Sequence, residues 1–161
     1  MDTPRISEGF VGRIRPIAAA IVRNGERILV WDDLNPTTGE VVAVPLAGGI
    51  EFEETGEAAI RRELQEEIGA DATTVQYIGT IEDIFEWNGQ KRHELYLVYD
   101  VELTDRRILE ADRIEVDDEG ESYVARWRPL SEFHAGARLV PTGLIDLIEG
   151  HAAGISPKES S

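Results

Sequence analysis

Between Gly48 and Ala70 the chain reads GGIEFEETGEAAIRRELQEEIGA, a glycine-marked turn running into an acidic helix. No other stretch limits the fold so tightly. Ile60, Leu64 and Ile68 fall at i, i+4 and i+8, an apolar stripe that needs a hydrophobic surface to cover it. Glu63, Glu66 and Glu67 stand at i, i+3 and i+4 and share one side of the same helix. At ~100° per residue, the stripe and the carboxylates have centres roughly 100° apart. One side of the helix can therefore dock on a sheet while the carboxylates line a cleft beside it. Three crowded carboxylates repel one another and weaken an isolated helix. A cation among them removes that cost, and an oxygen-only donor set suits Mg²⁺ or Mn²⁺.

The sequence around the segment supplies the sheet. From Pro16 the chain reads PIAAAIVRNGERILVWDD, two apolar runs flanking Asn24-Gly25, which predicts a hairpin. Residues 35–39 read as a loop, and Val41 to Leu46 as a short strand leading into the glycines. The helix should start near Thr55 or Gly56 and stop at Gly69. Thr74 to Glu86 reads as one or two strands, Asn88-Gly89 as a turn, and His93 to Leu103 as a strong strand. Residues 104–121 hold many acids and few large apolar side chains, which predicts a mobile loop. Tyr123 to Arg128 reads as a last strand, and Pro141 to Glu149 as a helix with Leu144, Leu147 and Ile148 inward. Strands before, between and after two helices predict a mixed sheet covered by helices. The division expected is a flexible arm over 1–12, one domain over 13–150 and a disordered tail over 151–161.

Composition narrows the function. There is no cysteine, hence no disulfide, zinc-thiolate site or thiol nucleophile. The 32 acids against 16 bases give a net charge of −16, which repels nucleic-acid polymers and anionic membranes. It does not repel a small polyphosphate bridged by a divalent cation. The start, MDTPRISEGF, is not a secretory signal, and no apolar run approaches the ~18 residues of a membrane span. A cytoplasmic location is the resulting expectation.

The pattern G-x5-E-x7-R-E-U-x-E-E-x-G-U, with U apolar, is met at Gly48, Glu54, Arg62, Glu63, Leu64, Glu66, Glu67, Gly69 and Ala70. In this the chain resembles the Nudix hydrolases, the MutT-like superfamily. The resemblance implies an α+β fold, an α/β/α sandwich with the box as a loop–helix–loop. It implies Mg²⁺- or Mn²⁺-dependent hydrolysis of a pyrophosphate bond in a nucleoside diphosphate linked to a further group X. Glu63, Glu66 and Glu67 would ligate the metal, directly or through water, with the backbone carbonyl near Gly48 joining them. Glu66 is open to either role, ligand or activator of water, and the box does not fix the general base. Arg62 would orient a ligating carboxylate through a salt bridge to Glu54 or Glu63, with Glu54 acting as a supporting acid.

The box departs from the commonest form at two positions. Ala47 precedes Gly48 where many members have glycine, and Glu53 stands where glycine is frequent. Outside it, Glu94 resembles the accessory acid that some members bring from a strand, against the alternative of an ordinary strand acid. Lys91 and Arg92 are adjacent bases able to hold a phosphate, or simply exposed at a turn. Phe85 and Trp87 can stack on a nucleobase, against the alternative of packing. His93 and Trp127 read as structural. Glu115, Glu119 and Glu121 are available should a mobile segment supply a catalytic acid. The chain's length tilts the substrate toward small nucleotides such as nucleoside triphosphates or diphosphates, and a homodimer is in keeping with the resemblance. The alternative function is a catalytically silent nucleotide sensor on the same fold.

Overall fold

The computed structural model describes residues 12–154. The apolar runs become β1 (Ile14–Asn24), β2 (Arg27–Leu34), β3 (Val41–Gly49), β4 (Ala72–Trp87), β5 (Gln90–Leu103), β6 (Ile114–Asp118) and β7 (Glu121–Pro129). The helices are α1 (Gly56–Ile68), α2 (Arg106–Leu109), α3 (Ser131–His134) and α4 (Leu144–Ala152). Among the described residues the strands form one mixed sheet in the order β4-β5-β1-β3-β2-β7-β6. β1 and β5 run parallel, with Arg15 opposite Glu94 and Ile17 opposite Tyr96. The Asn24-Gly25 hairpin forms, Asn24 pairing with Arg27 and Gly25 taking a φ of 62° that glycine tolerates without strain.

Alternation along β1 sorts the core into two layers. Ala18, Ala20 and Val22 face Ala59, Ile60, Leu64 and Ile68 of α1. Ala19 and Ile21 face the other way, onto Phe133 of α3 and Leu144 and Ile148 of α4. The sheet is thus covered on both sides, the expected helix–sheet–helix sandwich. Gly79 lets α4 approach β4, because a Cβ there would stand 2.5 Å from Leu147 Cδ1. No helix among the described residues is long and apolar enough to cross a membrane.

Residues 104–121 are ordered, contrary to the expected loop. α2 and β6 occupy half of the stretch, and Ile108, Ile114 and Val116 join the core on the α1 side. The acids obscured a period-two pattern: Ile114 and Val116 point inward while Glu115 between them stays exposed. Asp105 caps α2 through Arg107 N–H, and Trp127, a core residue as expected, donates its Nε1–H to the Ile108 carbonyl at 3.1 Å. The last helix begins three residues later than the sequence suggests, after Gly143 at φ 94°. It runs through Ala152, so the first residues of the expected tail are helical, and His151 bonds Asp100 at 3.1 Å. Most of the expected arm, and the tail from residue 155, lie outside the described residues.

Candidate active site

β3 carries the chain to the box and sets Gly48 opposite Ala18 and Gly49 opposite Ile17. A turn follows, closed by Glu54 N–H donating to the Glu51 carbonyl at 3.0 Å. Thr55 then caps α1, its Oγ1 accepting from Ala58 N–H at 3.1 Å, a contribution of about 1 kcal/mol. Gly69 ends the helix at φ 64°. Burial of Ile60, Leu64 and Ile68 anchors the helix, each contributing about 1.5–3 kcal/mol. Near its start, Gly56 packs so closely on β5 that a Cβ would stand 2.1 Å from the Tyr99 hydroxyl oxygen.

With its apolar stripe fixed, the helix presents its three carboxylates in different surroundings. Glu67 is only 3% exposed, whereas the Glu66 side chain is 59% exposed. Glu63 lies between these extremes and packs directly on the glycine turn. A Cβ on Gly48 would stand 2.0 Å from Glu63 Cδ, so only glycine admits this carboxylate. Glu67 stands one helical turn further along and acts on Glu63 at close range. Burial raises the Glu63 pKa and the Glu66 charge adds to the rise, while bonding to Arg62, its charge and the Glu67 contact oppose it.

Arg62 organises this end of the site. Its Nε and Nη2 donate to the two Glu54 carboxylate oxygens, both at 2.8 Å, a bidentate pair. Nη2 also reaches the Gly49 carbonyl at 3.0 Å, and Nη1 donates to Glu63 Oε1 at 2.7 Å. Glu66 receives a longer contact of 3.4 Å from Nη1. The sequence offered Glu54 or Glu63 as the partner; the structure uses both. The bond to Glu54 and then that to Glu63 raise the Arg62 pKa, so the guanidinium is charged throughout the accessible range.

Glu63 and Gly48 open onto a cavity of about 400 Å³. One wall is the outer part of β1, β4 and β5, where Asp83, Phe85 and Trp87 alternate along β4 and Arg92, Glu94 and Tyr96 along β5. The opposite wall comes from the β2–β3 loop, the β6–β7 turn and the segment before α4, including Glu119, Glu121 and Arg138. The tip of the β4–β5 hairpin touches the β2–β3 loop, where Gly89 N–H donates to Thr37 Oγ1 at 3.3 Å.

Glu94 is buried at 4% exposure and accepts from the Tyr96 hydroxyl at 2.7 Å. Burial raises its pKa, opposed by the Tyr96 bond and by the charges of Arg15 and Arg92. Burial also holds the Tyr96 phenol far above its ordinary value, so it remains a donor. Phe85, Trp87 and Arg92 line this cavity, while Lys91 is exposed. His93 turns away to bond Glu82 at 2.9 Å. Glu115 is exposed on β6 outside the cavity lining.

Three polar residues of this wall, Asp83, Tyr96 and Arg15, escaped the sequence reading. Tyr96 lies two positions after Glu94 on the same strand face, so period-two counting alone finds it. Arg15 gives no local signal, because only the parallel β1–β5 pairing brings it opposite Glu94. Among the described residues, no three acidic or histidine side chains converge closely enough to hold a cation as they stand. The donor set nevertheless fits a hard divalent cation: it is all oxygen, Glu63 and the buried Glu67 stand one turn apart on one helix, and Gly48 leaves Glu63 its space.

None of the curated proteins compared with the chain matches it. Solved structures do. A MutT NUDIX hydrolase from Burkholderia pseudomallei is 21% identical with a TM-score of 0.56, over 74% of this chain and 85% of that one. A NUDIX hydrolase from Nitrosomonas europaea is 20% identical with a TM-score of 0.60, over 90% and 93%. An ADP compounds hydrolase is 12% identical with a TM-score of 0.60, over 87% and 74%. These likenesses establish the shared fold, and the NUDIX domain family profile matches residues 13–146. With the box complete and folded as a capped helix beside its glycine turn, the chain belongs to the Nudix hydrolases, enzymes acting on phosphoric anhydrides.

Proposed function

We propose that this chain is a Mg²⁺- or Mn²⁺-dependent nucleotide pyrophosphohydrolase. Its substrate would be a nucleoside diphosphate linked to a further group X, with small nucleotides such as nucleoside triphosphates or diphosphates favoured. One observation carries the reading. Glu63 is packed on Gly48, clamped by an Arg62 that Glu54 itself clamps, and stands one helical turn from the buried Glu67, while Glu63 and Gly48 line a cavity of nucleotide size.

In this reading Glu63, Glu66 and Glu67 would hold the cation, with the Gly48 carbonyl beside them and Glu94 available from β5. Bound there, a divalent cation would neutralise charge on the phosphoryl oxygens and lower the pKa of a water. The protein's own residues do the positioning. Arg62 fixes the Glu63 carboxylate by a 2.7 Å bond and cannot swing away, because Glu54 holds two of its nitrogens. Tyr96 holds Glu94 by one oxygen and leaves the other for a proton or a cation. Carboxylates held in place before the substrate arrives need no reorganisation at the moment of reaction.

The test is a phosphate-release screen with added phosphatase or pyrophosphatase. It covers nucleoside triphosphates, diphosphates, ADP-ribose, nucleotide sugars and dinucleoside polyphosphates, in Mg²⁺, in Mn²⁺ and in a chelator. Turnover should require metal and fall by about 10²-fold or more in Glu67→Gln, with the circular dichroism spectrum unchanged. Full turnover in Glu67→Gln would overturn the site. Tight nucleotide binding without turnover in any metal would make the chain a sensor instead.

A further inference from the structure

The cavity lining combines eight acids with three arginines, Arg15, Arg92 and Arg138. A phosphate entering it is repelled unless positive charge is concentrated where the phosphate comes to rest. Arg138 is engaged with Glu40 at 3.0 Å. Arg92 is different. It is 5% exposed, on β5, and its Nε and Nη1 are buried with no hydrogen-bond partner among the described residues. A buried guanidinium with unmet donors costs stability, since each donor has surrendered its water. Its charge acts on Glu94, yet the Glu94 oxygen Oε2 is taken by Tyr96. Glu94 thus neutralises Arg92 in part without satisfying its donors.

We propose that Arg92 is the anion anchor of the cavity, contacting a phosphate of the substrate through the donors the protein leaves unmet. The inference rests on the hydrolase reading in taking the cavity as the substrate site. Arg92 stands four residues from Tyr96 along β5, and Tyr96 and Gly49 both pair with Ile17 of β1. At ~3.4 Å per residue the anchor is roughly 14 Å along the strand from the level of the glycine turn. Long side chains shorten that gap. The anchor therefore takes a phosphate other than the one attacked beside Glu63, which makes the substrate a polyphosphate rather than a single phosphoester. Phe85 is the direct cross-strand partner of Arg92, and Trp87 follows two residues on. Both line the same wall and offer apolar surface to the base beyond the phosphates.

The probe is inorganic pyrophosphate, titrated calorimetrically into the full chain with Mg²⁺ and, separately, with a chelator. Arg92→Gln should weaken binding by about tenfold or more, the worth of a charge-assisted hydrogen bond, and should raise KM more than it lowers kcat. Equal binding by Arg92→Gln and the wild type, or no binding by the wild type in either buffer, overturns the proposal. Should Arg92→Gln fail to fold, the wild type decides. Its Arg92 Nε–H resonance, identified by its loss in Arg92→Lys, should shift on adding pyrophosphate, and an unmoved resonance overturns the proposal. Arg92-dependent binding with no turnover on any substrate fails the hydrolase reading and leaves the anchor standing. Glu67-dependent turnover with unchanged pyrophosphate binding in Arg92→Gln does the reverse.

Discussion

Two arginines serve one cavity, Arg62 from behind the Glu63 and Gly49 that line it and Arg92 in the lining itself, and the protein treats them oppositely. Around Arg62 every nitrogen is spent on a protein partner: Glu54, Glu63, Glu66 or the Gly49 carbonyl. Around Arg92, two of three nitrogens are buried with no hydrogen bond among the described residues. A saturated guanidinium is a strut, whose geometry is decided before any ligand arrives. An unsaturated buried one is a cost to folding that a ligand can refund. The box end therefore holds its shape in the free protein, and the β4–β5 wall acquires its full set of bonds only when filled.

The sharpest way to break the box half of that contrast is Gly48→Ala. The new Cβ would stand 2.0 Å from Glu63 Cδ, so the carboxylate must leave its seat or β3 must part from α1. Turnover should fall by about 10²-fold, the usual cost of a misplacement near 1 Å, with the fold retained. Steady-state assay against the wild type checks this, and a loss below about threefold would show that Glu63 needs no fixed seat.

Arg62→Lys comes next in size. A lysine keeps the charge but cannot bond both Glu54 oxygens and Glu63 at once from one ammonium. Metal affinity or turnover should drop by about 10- to 100-fold, the range seen when a partner orienting a metal ligand is lost. Titration of activity against Mg²⁺ separates the two. Wild-type behaviour would mean that Arg62 contributes charge alone and is no strut.

The contrast also explains what was legible in the sequence. Arg62, Glu63, Glu66 and Glu67 lie within six residues on one helix, so helical spacing alone places them together. The caps at Thr55 and Gly69 and the stripe Ile60-Leu64-Ile68 follow from the same local arithmetic. Arg15, Asp83, Arg92 and Glu94 meet through β1–β5 and β4–β5 pairing across long stretches of chain. Nothing local says which face of β5 looks into a cavity, so Glu94 and Arg92 were legible only as alternatives. Residues 104–121 were misread because their acids outnumber the three apolar residues, Ile108, Ile114 and Val116, that fix them to the core.

Glu53 is a smaller test of how tightly the box turn is held. It adopts φ 68° without being glycine. The left-handed region costs a side-chain-bearing residue about 1–2 kcal/mol, partly offset by the larger freedom glycine has when unfolded. Glu53→Gly should therefore raise stability by up to about 1 kcal/mol, read as a higher urea midpoint with an unchanged slope. A lower midpoint would mean that the Glu53 side chain contributes more to the turn than its backbone strain costs.

The smallest effect concerns the clamp on Arg62 and appears only with pH. The Glu54 pKa is held below its ordinary 4.5, first by the bond from Arg62 and also by the Glu51 backbone N–H and the Arg62 charge, with burial opposing. Its folded form therefore binds a proton less readily than its unfolded form does. The stability this contributes is fully present above the unfolded pKa, and it drains away as pH falls through the lower folded value. The pair is near the surface, so the contribution should stay below about 1 kcal/mol. Many other carboxylates titrate in the same window, and only the difference between two proteins isolates this one. Urea midpoints of the wild type and Glu54→Gln, followed from about pH 6 to about pH 3, should converge as the solution becomes more acidic. Curves that stay parallel would show that Arg62 draws no stability from Glu54. The strut would then be held by Glu63 and the Gly49 carbonyl, and the turn between β3 and α1 would be looser than the bidentate pair implies.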